Sequence, residues 1–135
     1  MSQIFSADSQ MLSSGNVTLV TTAETTGLSS NALHGPFGTC KVKVSGVALI
    51  STGTGVTGVQ VRVRRNQSAE NIVLNPGTQT IAAAASTIIA VPFAFNDSVP
   101  DGRDLVYSLT VQQVAATGNG SILTGTEIDS TVISG

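Results

Sequence analysis

Four charged side chains, Asp97, Asp101, Arg103 and Asp104, sit together in the stretch FAFNDSVPDGRDLVYSLTV, between two apolar runs. Carboxylates at that density coordinate a hard cation, share a proton for acid–base chemistry, or shape a turn. A calcium loop of the EF-hand kind takes oxygen ligands at its first, third and fifth positions, glycine at the sixth and glutamate at the twelfth. Counted from Asp97, the third position is Val99 and the twelfth is Ser108, so that motif fails. A looser cation site built from Asp97, Asp101 and Asp104 stays open. The turn reading asks for less. Pro100 presets φ, Asp101 caps the backbone, Gly102 accepts a positive φ, and Arg103 offers its acidic neighbours a local partner.

The remaining reactive groups are sparse. His34 is the only histidine and lies in NALHGPFG, a loop by composition. Cys40, the only cysteine, has flanks that read as the core of a strand and is expected to be a buried, inert thiol. A Cys40–His34 pair stays open, because spatial neighbours need not be sequence neighbours. Lys41 and Lys43 point to the opposite face of that strand and cannot lower the thiol pKa directly. Arg62, Arg64 and Arg65 cluster in RVRR, which on a strand is expected to be a solvated face. Gly53, Gly55 and Gly58 lie between strands and not ahead of a helix, so they cannot seat a phosphate on a helix N-terminus. No metal-ligand spacing, nucleotide fingerprint or nucleophile elbow is present, so no cofactor and no enzymatic activity are expected.

Composition narrows the class. Charged residues make up 10% of the 135 residues, the net charge is −2, aromatics are 4%, and tryptophan is absent. A nucleic-acid footprint of clustered positive charge is missing, and so are the aromatic platforms that stack bases. The start, MSQIFSADSQ, lacks the basic and apolar regions of a secretory signal. The longest apolar run, residues 81–95, is broken by Ser86, Thr87 and Pro92 and is too short for a membrane helix. A cytosolic site of synthesis and no membrane partner are therefore expected.

The elements that position these groups read as strands. Apolar residues alternate with polar ones in 16–22, 39–50, 59–65 and 104–115, with Gly46 marking a bulge or a close backbone approach. Residues 72–74, 78–83, 87–95 and 121–133 complete about eight strands, although the alanine run at 82–85 also fits one helical turn. Turns are signalled at 51–58, at Asn75-Pro76-Gly77 and at Gly118-Asn119-Gly120. Short strands at this spacing indicate an all-β sandwich or barrel, of which the antiparallel β-sandwich is expected. Residues 16–135 form that sandwich in this reading, and residues 1–15 are a weakly patterned arm outside it. Ile4, Phe5, Met11 and Leu12 would anchor the arm on a partner; the competing reading makes Ile4 and Phe5 the sandwich's own first edge strand.

The pattern D-x-x-P-D-G-x-D-L-x-Y-x-L-T-V at 97–111 resembles one in jelly-roll domains of bacteriophage virion proteins. VQVRVRRN at 59–66 is similar to their upstream apolar-Arg-Arg strand, and 122–133 to their last strand. The nearest pattern is the trimeric fold of tumour-necrosis-factor- and C1q-like domains in phage fibres and head decoration proteins. The resemblance implies a jelly roll and a homotrimer, with Tyr107 and Leu109 near a subunit interface. It also implies a structural role in the virion, assembled in the host cytoplasm. A head decoration (cement) protein bound to the major capsid protein or another virion protein comes first, since the chain lacks the repetitive shaft of a fibre. A fibre or spike receptor-binding domain is the second reading, and a non-viral ligand-binding β-module the third. Sparse charge and a positive mean hydropathy fit a chain that buries surface against copies or a shell.

Overall fold

A computed structural model describes residues 4–20, 22–53, 55–56, 58–66, 72–74, 78–80, 88–114 and 117–134; for residues 4, 5, 72–74, 78–80 and 134 only the backbone is described. The alanine run, residues 67–71 and the Asn75-Pro76-Gly77 turn lie outside these residues. The described chain is all strand and connection: β1 (Ile4–Met11), β2 (Val17–Thr18), β3 (Thr25–Ser29), β4 (Leu33–His34), β5 (Cys40–Ser51), β6 (Gly58–Arg65) and β7 (Ile72–Leu74), followed by β8 (Thr78–Thr80), β9 (Ile88–Val99), β10 (Arg103–Leu105), β11 (Tyr107–Val114), β12 (Ser121–Ile122) and β13 (Glu127–Ser134). Every strand pair is antiparallel.

The spine of the six-stranded sheet is β5. Along its whole length β9 pairs on one side, from Cys40↔Val99 to Ser51↔Ile88. On the other side β13 covers residues 40–47 and β12 covers 50–51; β1 then adds to β13 and β2 to β12. The five-stranded sheet runs β3-β11-β6, with β7 and β8 both on the far side of β6. A two-stranded ribbon, β4–β10, stands apart from both sheets.

Two-residue periodicity builds the core between the sheets, because successive side chains on a strand leave opposite faces. Val42, Val44, Ala48 and Ile50 of β5, with Val91, Phe93 and Val99 of β9 and Ile128 and Val132 of β13, meet Val59, Val61 and Val63 of β6 and Tyr107, Leu109 and Val111 of β11. The alternation in β5 runs through Gly46 without a register shift, so the glycine marks a close approach and not a bulge. A Cβ there would meet the Glu127 carbonyl oxygen and lie 2.8 Å from Cζ of Phe93. Pro92 sits mid-strand in β9, where it is tolerated because among the described residues that strand pairs on one side only.

Three expectations need correction. The arm at residues 1–15 is no arm over 4–12: β1 pairs with β13 from Ile4↔Ile133 to Met11↔Glu127, with a register irregularity between Ile4 and Ser6, and Leu12 packs on the core. Its weak pattern has a physical cause. At the sheet edge its half-buried positions include Asp8, whose carboxylate accepts the Asn31 backbone N–H (3.0 Å) and side-chain amide (3.2 Å). A polar group so satisfied can occupy an inward position without an apolar residue. Second, residues 104–115 are two strands, interrupted at Val106, whose N–H donates to Asn66 Oδ1 and whose carbonyl accepts the Asn66 N–H. Third, 121–133 divides into β12 and β13 at a turn containing Gly125 at φ 96°.

Candidate assembly surface

The acidic segment sends its carboxylates to three different places in the fold. Asp97 faces the interior from β9, and its Oδ2 accepts both the Arg65 guanidinium and the Tyr107 hydroxyl at 2.8 Å. Arg65 and Tyr107 are directly paired across β6 and β11, so this cluster ties one sheet to the other. Burial first, and then the hydrogen bond to Asp97, push the Tyr107 phenol far up, which keeps it a neutral donor. Asp101 instead binds its near neighbour Arg103, at 2.6 Å to Nη2 and 3.0 Å to the backbone N–H. Those hydrogen bonds, side chain before backbone, hold its carboxyl down at about 2. Asp104 stands 3.5 Å from His34 Nδ1, and both are exposed.

The turn reading of Pro100-Asp101-Gly102 therefore holds, with one change. The positive φ belongs to Asp104, at 54°, and not to Gly102. Gly102 is required by space: a Cβ there would lie 2.7 Å from Cys40 Sγ and 2.9 Å from Pro36 Cδ. Cys40 itself is fully buried, and burial pushes its thiol up, followed by the charges of Asp101 and Asp97. Such a thiol is a poor nucleophile at neutral pH. His34 leans toward Asp104 and not toward this thiol's interior site.

The RVRR stretch is not a solvated face. Arg62 and Arg64 lie on the outer face of the five-stranded sheet and clamp Glu24, at 2.9 Å and 2.6 Å. Arg62 also donates to Gln112 at 2.8 Å and to Gln60, and Gln112 donates onward to the Thr22 carbonyl at 2.9 Å. Beneath this cover Ser108 and Thr110 are buried although they point away from the core. The two arginines hold the Glu24 carboxyl below its ordinary range, with the Arg64 hydrogen bond the largest cause. Alternation alone assigns Arg65 to the inward side with Val59, Val61 and Val63; that signal was present in the sequence, but the Asp97 that neutralises it lies 32 positions away.

The outer face of the six-stranded sheet has a different character. Reading across β1, β13, β5 and β9, its rows are Met11–Glu127–Val47–Pro92, Ser9–Asp129–Ser45–Ala94 and Ala7–Thr131–Lys43–Asn96, with Ile133–Lys41–Ser98 beyond. Leu49–Ala90 and Ser51–Ile88 extend the β5–β9 pair at the other end. Met11 is 57% exposed and Ile88 70%. A depression in this face is lined by Lys43, Val44, Ser45, Ala94, Phe95 and Asn96. Small apolar residues thus occupy a broad exposed area that is crossed by two acids and two lysines. Asp129 accepts a hydrogen bond from Ser9. Glu127 lies against Asp129, whose hydrogen bond and charge raise the Glu127 carboxyl above its ordinary range.

Of the expected anchor residues, Leu12 is spent on the chain's own core and Met11 opens onto this face, whereas the side chains of Ile4 and Phe5 lie outside the described residues. The resemblance sets Tyr107 and Leu109 near a subunit interface. Both are 0% exposed inside the sandwich, so neither side chain has surface to offer a neighbouring copy. Phe37, 80% exposed in the loop after β4, is a feature composition did not single out. The Arg103 guanidinium stacks 3.4 Å over its ring, oriented by Asp101.

Curled antiparallel sheets and a core sealed between two layers define a jelly-roll sandwich. The match to solved structures agrees with that class. The structure of Eiger TNF from S. frugiperda superposes with a TM-score of 0.53 at 12% identity, over 95% of this chain and 91% of that one. A structure of infectious bursal disease virus, Gx strain, aligns with a TM-score of 0.44 at 15% identity, over 100% of this chain and 32% of that one. No family model and no curated protein matches the sequence.

Proposed function

We propose that the chain is a non-enzymatic structural protein of a virion, a head decoration protein that sits on the capsid surface as a homotrimer. The observation that carries this reading is the outer face of the six-stranded sheet, where Met11, Val47, Leu49, Ile88, Ala90, Pro92 and Ala94 leave an apolar area open. Solvated monomers seldom keep a contiguous apolar face of that kind, and it suits burial against copies. The opposite sheet, with its charges neutralised within the chain, is then the side left to solvent. The sequence resemblance of 97–111 to phage virion jelly rolls supports the virion setting. The exposed Phe37 held under Arg103 is the one feature that favours the second reading, a fibre or spike domain, because a rigid aromatic at a loop tip is a recognition element.

Sedimentation equilibrium tests the first step: the chain runs as a trimer at micromolar concentration, and Ala94→Arg, which buries a charge in the depression, runs as a monomer with unchanged far-ultraviolet circular dichroism. Electron microscopy of the particle that carries this chain tests the second, with trimers seen on the outer shell. A monomeric wild type, or density only at a fibre, overturns the corresponding step.

A further inference from the structure

The chain has six basic side chains, and four of them are neutralised within it: Arg62 and Arg64 by Glu24, Arg65 by Asp97, and Arg103 by Asp101. Lys41 and Lys43 are the two with no ion-pair partner among the described residues. Both are exposed on the outer face of the six-stranded sheet, two positions apart on β5. The same face carries the reverse imbalance on the neighbouring strand. Glu127 and Asp129, two positions apart on β13, lean on each other and not on a cation. Register keeps the two pairs apart: Asp129 stands opposite Ser45 and Glu127 opposite Val47, while Lys43 faces Thr131. Asp129 and Lys43 are thus diagonal neighbours, at a Cα spacing of about 7–8 Å, and no ion pair joins them within the chain.

We infer that copies of this chain dock through this face with matched charge, Lys41 and Lys43 on β5 of one copy meeting Glu127 and Asp129 on β13 of the next. This rests on the proposed trimer and adds to it the residues that set register and orientation. Two like charges two residues apart on one strand repel when nothing is docked, and an opposing lysine pair relieves that repulsion while burying the short apolar residues around it. Association of β13 of one copy with β5 of the next is head-to-tail, and with the threefold rotation of the proposed trimer it closes a ring in which every acid pair meets a lysine pair. Exposed ion pairs add little affinity by themselves, but like charges brought together across an interface are strongly unfavourable, so the charges select register more than they supply strength.

Charge reversal tests this by sedimentation equilibrium, with circular dichroism confirming the fold. Lys41→Glu/Lys43→Glu and Glu127→Lys/Asp129→Lys are each expected to weaken self-association at least about a hundredfold, in line with several kcal/mol for like charges across an interface. The chain carrying all four reversals is expected to recover association to within about tenfold of wild type, since every contact then reads in the opposite sense. Lys41→Gln/Lys43→Gln, which removes charge without adding repulsion, is expected to weaken association less than reversal does. If the wild type is a trimer and the double reversals remain trimers, the inference is wrong and the trimer stands. If the wild type is a charge-dependent dimer, and the two double-reversal variants form 1:1 pairs on mixing, the matched face stands and the trimer falls. A monomeric wild type overturns both.

Discussion

The two outer faces of this sandwich handle charge in opposite ways. On the five-stranded sheet, Arg62, Arg64 and Glu24 form a closed cluster with Gln60 and Gln112, and the serine and threonine beneath it are buried. On the six-stranded sheet, Lys41, Lys43, Glu127 and Asp129 are left facing solvent among alanine, proline and valine. That difference bears on the proposed docking. A face whose charges are matched internally gains little from meeting another molecule, because those groups would be desolvated for no new pairing. A face whose charges are unmatched but equal and opposite gains most from a second copy of itself.

The strongest way to break the contrast is at Gly46. Ala at this position puts a methyl group against the Glu127 carbonyl and the Phe93 ring, in backbone and core that cannot both yield. We expect a loss of about 3 kcal/mol or more, a fall in melting temperature on the order of 10 °C, and displacement of β13. Urea unfolding measures the loss; Gly46→Ala with wild-type stability would show that the β5–β13 register is loose and that the positions of Glu127 and Asp129 are not set by it. The next effect is at Asp97, which ties the two sheets together. Its side chain is 12% exposed and that of Arg65 20%. Asp97→Ala leaves the guanidinium and the Tyr107 hydroxyl without their acceptor, and about 2–3 kcal/mol should be lost. Tyr107→Phe removes only one neutral donor and should lose about 1 kcal/mol.

The finest test sets the two faces against each other by pH, in the Ala94→Arg background so that association does not intervene. Glu24 is held below its ordinary value of 4.5, so its contribution is present above that value and is lost as pH falls through the lower folded one. Glu24→Gln should lower stability by about 1 kcal/mol at pH 7, with the difference vanishing in acid. Glu127 is raised above 4.5, so the sign reverses: its favourable contribution is present below 4.5 and is lost as pH rises through the folded value. Glu127→Gln should therefore leave the melting temperature unchanged or higher at pH 7. Melting curves across pH 3–7 that gave both variants the same sign would erase the distinction between the faces.

Much of this was written locally and some of it was not. Alternation in CKVKV and VQVRVRR, the proline and glycine turns, and the short strand spacing specify antiparallel strands with the valines on one face, which a sandwich or a barrel buries alike. The same rule sends Lys41 and Lys43 outward and Arg65 inward. Local pattern also fixes Asp101, whose partner is two residues away. It could not decide between an arm and an edge strand at β1, since an edge strand satisfies inward Asp8 by hydrogen bonds from Asn31 and so need not show an apolar stripe. Nor could it choose among Asp97, Asp101 and Asp104 for the inward ion pair, or pair Glu24 with arginines 38 and 40 positions away. Those choices depend on which strands become neighbours and in what register, and only the closed sandwich decides that. Alternation along β5 and β6 sends their side chains inward or outward, but which charges meet is settled in the folded sandwich, because a Coulomb partner is set by distance in space and not by period along the chain.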